Sequence, residues 1–295
     1  MIRSLFSVSY AGLWGQKAFD LQGFLGKAGT LGYDAVMLAG KRPHLSPLDA
    51  TPEVLDSVKA GMEKSGVSCA VMAGYTDFSG DAAPEVPVIE MQIAYVESLA
   101  STAAALGARV VRVFTAYHST GEPLTMVWNR VVAALQECSD RCADKGVTLA
   151  VQNHHDVGVH TDVLLELIAE VGRDNCKLGF DAWSPHLRGE DLYEAAKKAA
   201  PFTAITTNAD YVRQKRFSYD SGLINYQRVE PDFVKAVPFG TGGIDYKGFF
   251  KGLREGGFDG IATYEMCSPL RGGGSEENLD ACATAYLDWM SENGY

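Results

Sequence analysis

Gly146-Val147-Thr148-Leu149-Ala150-Val151-Gln152-Asn153-His154-His155 is the stretch that decides how this chain is read. A glycine precedes a short run of apolar and β-branched residues, which stops on amide and imidazole side chains. That is the signature of a buried strand ending in a functional loop. The pattern returns downstream in Cys176-Lys177-Leu178-Gly179-Phe180-Asp181, in Phe202-Thr203-Ala204-Ile205-Thr206-Thr207-Asn208, and in Gly260-Ile261-Ala262-Thr263-Tyr264-Glu265. Parallel strands closed into a barrel bring their carboxyl ends to one mouth. Gln152, Asp181, Thr207 or Asn208, and Glu265 are therefore expected to converge there, although they are far apart in sequence.

Working outward, short apolar runs alternate with longer helical patterns from one end of the chain to the other, which implies right-handed βαβ units and a parallel sheet. Eight strands are expected, near residues 3 to 10, 34 to 38, 67 to 73, 109 to 114, 147 to 152, 176 to 181, 202 to 208 and 259 to 265. Helix starts are marked by Thr51-Pro52-Glu53 and by Thr161 as a cap. Glycine closes helices before the next strand at Gly66, Gly107, Gly146 and Gly256-Gly257. One stretch breaks the rhythm: about 35 residues separate the seventh strand from the helix beginning near Asp245, far more than an ordinary connection. Residues 211 to 237 are expected to form a lid or subunit-contact insertion, or a surface decoration that packs its own aromatics.

Composition narrows the function classes. Of 295 residues, 46% are hydrophobic and 21% charged, so a sizeable core is available. The formal charge of −11 opposes nucleic acid as a partner. Six scattered cysteines without a Cys-x-x-Cys pair fit reduced thiols and a cytoplasmic location. No apolar run reaches the roughly 20 residues that span a bilayer, and the N-terminal residues lack a signal-like apolar stretch. A soluble protein with no membrane partner is expected. Gly240-Thr241-Gly242-Gly243 has neither the phosphate-loop lysine nor dinucleotide-binding spacing, and serves as a turn.

These segments, with Gly240-Thr241-Gly242-Gly243-Ile244-Asp245 and Gly256-Gly257-Phe258-Asp259-Gly260 in the same order, resemble the xylose-isomerase-like TIM-barrel superfamily, and most of all bacterial sugar phosphate isomerase/epimerase proteins. The resemblance implies a single α/β domain over residues 1 to 295, a (β/α)8 TIM barrel with an inserted segment between strand 7 and helix 7. It further implies a carbohydrate substrate, a homo-oligomer, and a divalent metal held by Glu, Asp, His and Glu on strands five to eight. Asp181 and Glu265 match the Asp and the last Glu. Gln152 stands at the first glutamate and Thr207 at the histidine. An amide keeps a carbonyl oxygen but loses a charge, and a hydroxyl is a poor substitute for imidazole. With Gln152, Asp181 and Glu265 as metal ligands, completed by Asn208, Asp210, His154 or His155, the oxygen-rich set favours manganese or magnesium.

Chemistry follows from the same substitution. An amide cannot act as a general base, so a symmetric two-base epimerisation is disfavoured. Enediolate chemistry with Glu265 as base and His154 as a second catalytic group is expected, giving an isomerase or lyase on a keto sugar, sugar acid or cyclitol. Substrate contacts are expected from Lys41, His44, His118, His155, Trp183, His186, Asp210 and Arg271, all near strand ends. Two alternatives stand beside this reading. A catalytically silent sugar-binding or regulatory barrel would also tolerate Gln152 and Thr207. Abasic-site endonuclease chemistry would need a histidine-rich zinc cluster that this chain lacks.

Overall fold

The computed structural model describes residues 1–83, 85–118 and 121–295. Eight strands close on one another, each parallel to its neighbours: β1 (Ile2–Phe6), β2 (Ala35–Ala39), β3 (Ser68–Ala73), β4 (Val110–Val113), β5 (Thr148–Gln152), β6 (Cys176–Gly179), β7 (Thr203–Asn208) and β10 (Ile261–Tyr264). The circle runs β1-β10-β7-β6-β5-β4-β3-β2, with Leu5 facing Tyr264 across the closing pair. Between them lie α1 (Leu21–Leu31), α2 (Pro52–Ser65), α3 (Val88–Ala105), α4 (Leu124–Ala143), α5 (Thr161–Val171), α6 (Trp183–Arg188), α7 (Leu192–Ala199), α8 (Tyr246–Glu255) and α9 (Glu276–Glu292). No helix among the described residues is long and apolar enough to cross a membrane.

Local chemistry sets the boundaries. The Thr51 hydroxyl accepts the amide of Val54 and Pro52 occupies the first helical position, as the sequence predicts. Gly66 takes the left-handed conformation, φ +69°, that ends α2 before β3. The cap of α5 is His160, whose ring accepts the amide of Asp162; Thr161 is the first helical residue rather than the cap. The first strand is also shorter than expected. After Phe6 the chain turns into a 3-10 turn over Ser7–Tyr10, and the Ser7 hydroxyl accepts the amide of Ala39.

The core has two parts. An inner cluster fills the barrel with Phe6, Met37, Val71, Val110, Ala150 and Ile205. A larger outer layer joins strand backs to helices, and Phe249 and Phe250 of α8 are both fully buried in it. Burying a phenylalanine of this kind contributes roughly 1.5–3 kcal/mol.

The insertion is neither a structureless loop nor a helix. β8 (Asp210–Asp220) and β9 (Asn225–Val237) form an antiparallel ribbon, pairing Asp210 with Val237 at the root and Asp220 with Asn225 at the tip. The ribbon makes its own two-stranded sheet and does not join the barrel. Its root is buried at Tyr211, Ala236 and Val237, whereas Phe217, Tyr219, Leu223, Ile224 and Tyr226 along its outer half are exposed.

Candidate active site

At the carboxyl ends of the strands two adjoining cavities of about 200 and 270 Å³ share His154, Glu265 and Cys267. The smaller adds Asp181, Trp183, Thr207 and Tyr211; the larger adds Gln152, Arg112, Lys41, Tyr75 and His155. A larger open groove of about 560 Å³ between α5 and α7 lies on the helical ring, and none of these strand-end residues lines it.

Two carboxyl groups lie at the centre. Asp181 follows β6, is 6% exposed, and accepts the Gln152 side-chain amide at 2.9 Å and the backbone amides of Trp183 and Ser184. Burial outweighs those donors and pushes its pKa up to about 6. Glu265 follows β10, and its backbone amide is held by the carbonyl of Asn208 on β7. Its Oε1 accepts the Cys267 thiol at 3.2 Å, and the same sulfur lies 3.2 Å from the Tyr211 hydroxyl. Burial raises Glu265 to about 7, against the opposing pull of Cys267 and Arg112, which places it in the range of a neutral-pH acid-base group.

The paired histidines sit in a sharp bend, with His155 at φ +68°, a conformation uncommon for a residue with a β-carbon. Nδ1 of His154 accepts the backbone amide of His155 at 2.8 Å and lies 2.8 Å from Nδ1 of His155. Desolvation, followed by repulsion from His155 and Arg112, pushes His154 down to about 4. The ring is therefore neutral near pH 7 and carries its proton on Nε2, a hydrogen-bond donor rather than a base. His155 is likewise pushed down to about 4 by desolvation, and it stacks on Tyr117 at 4.0 Å.

Several expected contacts fall elsewhere. His44 is buried against Phe24 with Nε2 facing the carbonyl of Phe19, so it packs the base of α1 and does not line the cavities. Asp210 accepts the amides of Gly240, Gly242 and Tyr211, which clamps the end of the ribbon onto the following loop. That is a structural role. His118 is exposed beside the mouth, its backbone amide held by Asp156. His186 stacks behind Trp183 at 5.8 Å, and only Trp183 reaches the cavity. Arg271 is exposed and braces the ribbon through its backbone amide to Ala236, while Ser275 caps α9. Asn208 turns its side chain to the carbonyl of Thr263, away from the mouth.

Arg112, Tyr75, Cys267 and Tyr211 line the cavities without having been singled out in the sequence. Arg112 sits inside β4 in an apolar run, and nothing in Val110-Val111-Arg112-Val113 separates a cavity-facing arginine from a strand-edge one. It is 1% exposed, donates from Nη1 to the carbonyl of Gly74 at 2.9 Å, and lies 4.1 Å from the ring centre of Phe114.

The expected divalent metal can be tested against these donors. Gln152 commits its amide hydrogen to Asp181, leaving Oε1 without a partner, and the buried Thr207 hydroxyl is also unpartnered. Two carboxylates and two neutral oxygens remain, and a buried guanidinium acts on both carboxylates. Among the described residues no group of three or more His, Cys, Asp or Glu side chains is arranged to hold a metal. This set does not fit a tightly held divalent ion, whose affinity depends on ligand charge and number.

A closed eight-stranded barrel with a cleft at its strand ends that holds two carboxyl groups defines a TIM barrel with its candidate site at the usual face. The profile of the xylose isomerase-like TIM barrel family matches residues 25–285, and the chain belongs to that family. An inosose dehydratase of Lacticaseibacillus casei is 26% identical over 146 residues, covering 47% of this chain and 46% of that protein, so the match spans about half the length of the relative. Among solved structures, the probable 3-DHS dehydratase of Bacillus anthracis superimposes with a TM-score of 0.75 at 16% identity, covering 99% of both chains. A D-psicose 3-epimerase from Clostridium cellulolyticum H10 does so at 0.74 and 15% identity, again over 99% of both. At these identities the structural likenesses establish the fold.

Proposed function

We propose that this protein is a sugar-active lyase or isomerase that acts on a keto sugar, keto sugar acid or cyclitol through an enediolate, with a single carboxyl group moving the proton. The observation that carries this reading is Glu265, a strand-end carboxyl that burial raises to about 7 where it lines a cavity at the mouth of the barrel. As carboxylate, Glu265 removes a proton from the carbon next to a carbonyl. The electron pair moves onto the carbonyl oxygen, where His154 Nε2–H supplies a donor for the developing charge. In an elimination, the proton held by Glu265 leaves with the β-hydroxyl as water; in an isomerisation it is delivered to the former carbonyl carbon while the hydroxyl proton of the adjacent carbon passes to the former carbonyl oxygen, moving the carbonyl by one carbon.

Asp181, held by Gln152 and two backbone amides, orients substrate hydroxyls, and Trp183 offers an apolar face to the carbon skeleton. The side of the cleft where a second base would stand is occupied by the Gln152 amide, which disfavours two-base epimerisation. The inosose dehydratase similarity supports the elimination branch. The root of the ribbon already forms cavity wall through Tyr211 and Val234, which supports a covering role for the insertion.

The test is exchange of the α-proton in deuterated water, followed by NMR on a panel of ketoses, keto sugar acids and inososes. Wild-type protein should wash the proton out of at least one of them. Glu265→Gln should slow that exchange by roughly 10²–10⁴-fold, the range of a positioned general base. A sugar that raises the melting temperature without any exchange would instead favour a silent binding barrel.

A further inference from the structure

The larger of the two cavities holds a feature that the proton-transfer scheme does not consume. Two cations face one aromatic ring there: Lys41 Nζ lies 3.7 Å from the ring centre of Tyr75, and the Arg112 guanidinium carbon lies 5.2 Å from it. Among the described residues neither cation has a carboxylate ion-pair partner. Arg112 spends one donor on the carbonyl of Gly74 while its buried Nε has no partner, and the buried hydroxyl of Tyr75 faces the same guanidinium without a well-formed hydrogen bond to any other group. Three polar groups thus converge on a pocket of about 270 Å³ with hydrogen-bonding capacity to spare. A buried guanidinium without a directly hydrogen-bonded anion is costly, and its planar fork matches the two oxygens of a carboxylate or phosphate.

Resting on the enediolate reading above, we infer that Arg112, Lys41 and Tyr75 form an anion subsite, and that the substrate is a hydroxylated carbon chain bearing a carboxylate or phosphate. The anionic group docks between Arg112 and Lys41, and the chain runs past His154 to bring the reacting carbon to Glu265. Glu265 lines the same cavity and His154 spans both, so a single small molecule reaches from one end to the other. A carboxylate is the better match, because the donors are side chains in a fork; the larger cavity, where they lie, is not lined by an α-helix N-terminus of the kind that commonly receives phosphate.

Calorimetric titration of the full chain with D-gluconate, D-glucose 6-phosphate, inorganic phosphate and neutral D-glucose tests the subsite without requiring turnover. Gluconate is expected to bind roughly 10–100-fold more tightly than glucose, as charge-assisted hydrogen bonds contribute. Lys41→Ala, a change at a partly exposed residue that the fold tolerates, should remove about tenfold of that preference, and Arg112→Lys should weaken it while keeping the charge. Preference for glucose 6-phosphate, with competition by inorganic phosphate, assigns the anion as phosphate. Equal binding of all the sugars, no binding of any probe, or a preference untouched by Lys41→Ala overturns the subsite. Deuterium exchange separates the two claims. Exchange on neutral ketoses with no anion preference leaves the lyase or isomerase reading standing alone, whereas anion preference without exchange on any substrate leaves only the subsite.

Discussion

At the residue scale, the balance of charge in the cleft makes Glu265 the informative position. Its pKa in the folded protein, about 7, exceeds the ordinary carboxylate value of 4.5, so the folded state holds a proton that the unfolded chain releases between those limits. Ionising Glu265 therefore costs stability as pH rises from about 4.5, and the full cost, up to about 3 kcal/mol, is present above pH 7. Glu265→Gln should melt at a higher temperature than wild type at pH 8, with the gap closing toward pH 4.5; a gap that widens on acidification would mean the carboxyl is stabilised as an anion. Over the same window, kcat should rise with pH through about 7 as the base ionises. Gln152 gives a second prediction. Gln152→Glu places a carboxylate against Asp181, and the repulsion creates the demand for a cation that the natural amide removes. Manganese should raise the melting temperature of that variant and leave wild type within about 1 °C, and chelation should not abolish wild-type turnover. A manganese shift in wild type matching that of the variant would show that the donors suffice as they are. Sequence reading placed Glu265, Asp181 and Gln152 at strand ends that meet, because strand ends are marked by where apolar runs stop, and all three line the cavities. It misassigned Asp210, since a carboxylate just past a strand looks the same whether it faces substrate or accepts loop amides. Arg112 was invisible because its place in the cavity depends on which face of β4 it occupies.

At the element scale, the ribbon is where sequence and structure part most. Its charged residues sit among aromatics without clean alternation, and both faces of its outer half meet solvent, so period-two patterning has no buried side to record. What remained legible was its length and aromatic content. The first strand was overextended for a related reason: Ser7-Val8-Ser9-Tyr10 has strand composition and is fully buried, yet it turns into a 3-10 segment that lets Ser7 and Ser9 hold neighbouring backbone amides. Because Arg213 and Val234 are paired across the ribbon, residues 214–233 can be replaced by an Asn-Gly turn without disturbing the root. That variant should keep its melting temperature within a few degrees, since the removed half contributes little buried surface. If the ribbon covers the mouth, turnover falls; if it carries subunit contacts, sedimentation shifts to a smaller species. Unchanged values in both would make the outer ribbon a surface decoration.

At the scale of the whole molecule, closure couples every element to every other. β1 pairs with β10 and β2, so no strand of the barrel has a free edge, and the alternation of strands and helices alone was enough to predict this. The packing that locks the ring shut was less legible. Phe250 meets Tyr246, Trp289 and Tyr295, tying α8, α9 and the C-terminal residue into one aromatic cluster far in sequence from the first strands. Phe250→Ala removes a fully buried ring and should cost about 3–5 kcal/mol. For a chain of 295 residues that corresponds to a drop of roughly 5–8 °C in the melting midpoint. Chains of this size often unfold in steps, so the shape of the transition matters as much as its position. If closure makes the barrel a single cooperative unit, far-ultraviolet circular dichroism, which sees every helix, and tryptophan fluorescence, which includes Trp289 of the cluster, should shift together in the variant. A fluorescence change that precedes loss of the helical signal would show that the α8–α9 corner melts first, and that barrel closure does not transmit its stability around the ring.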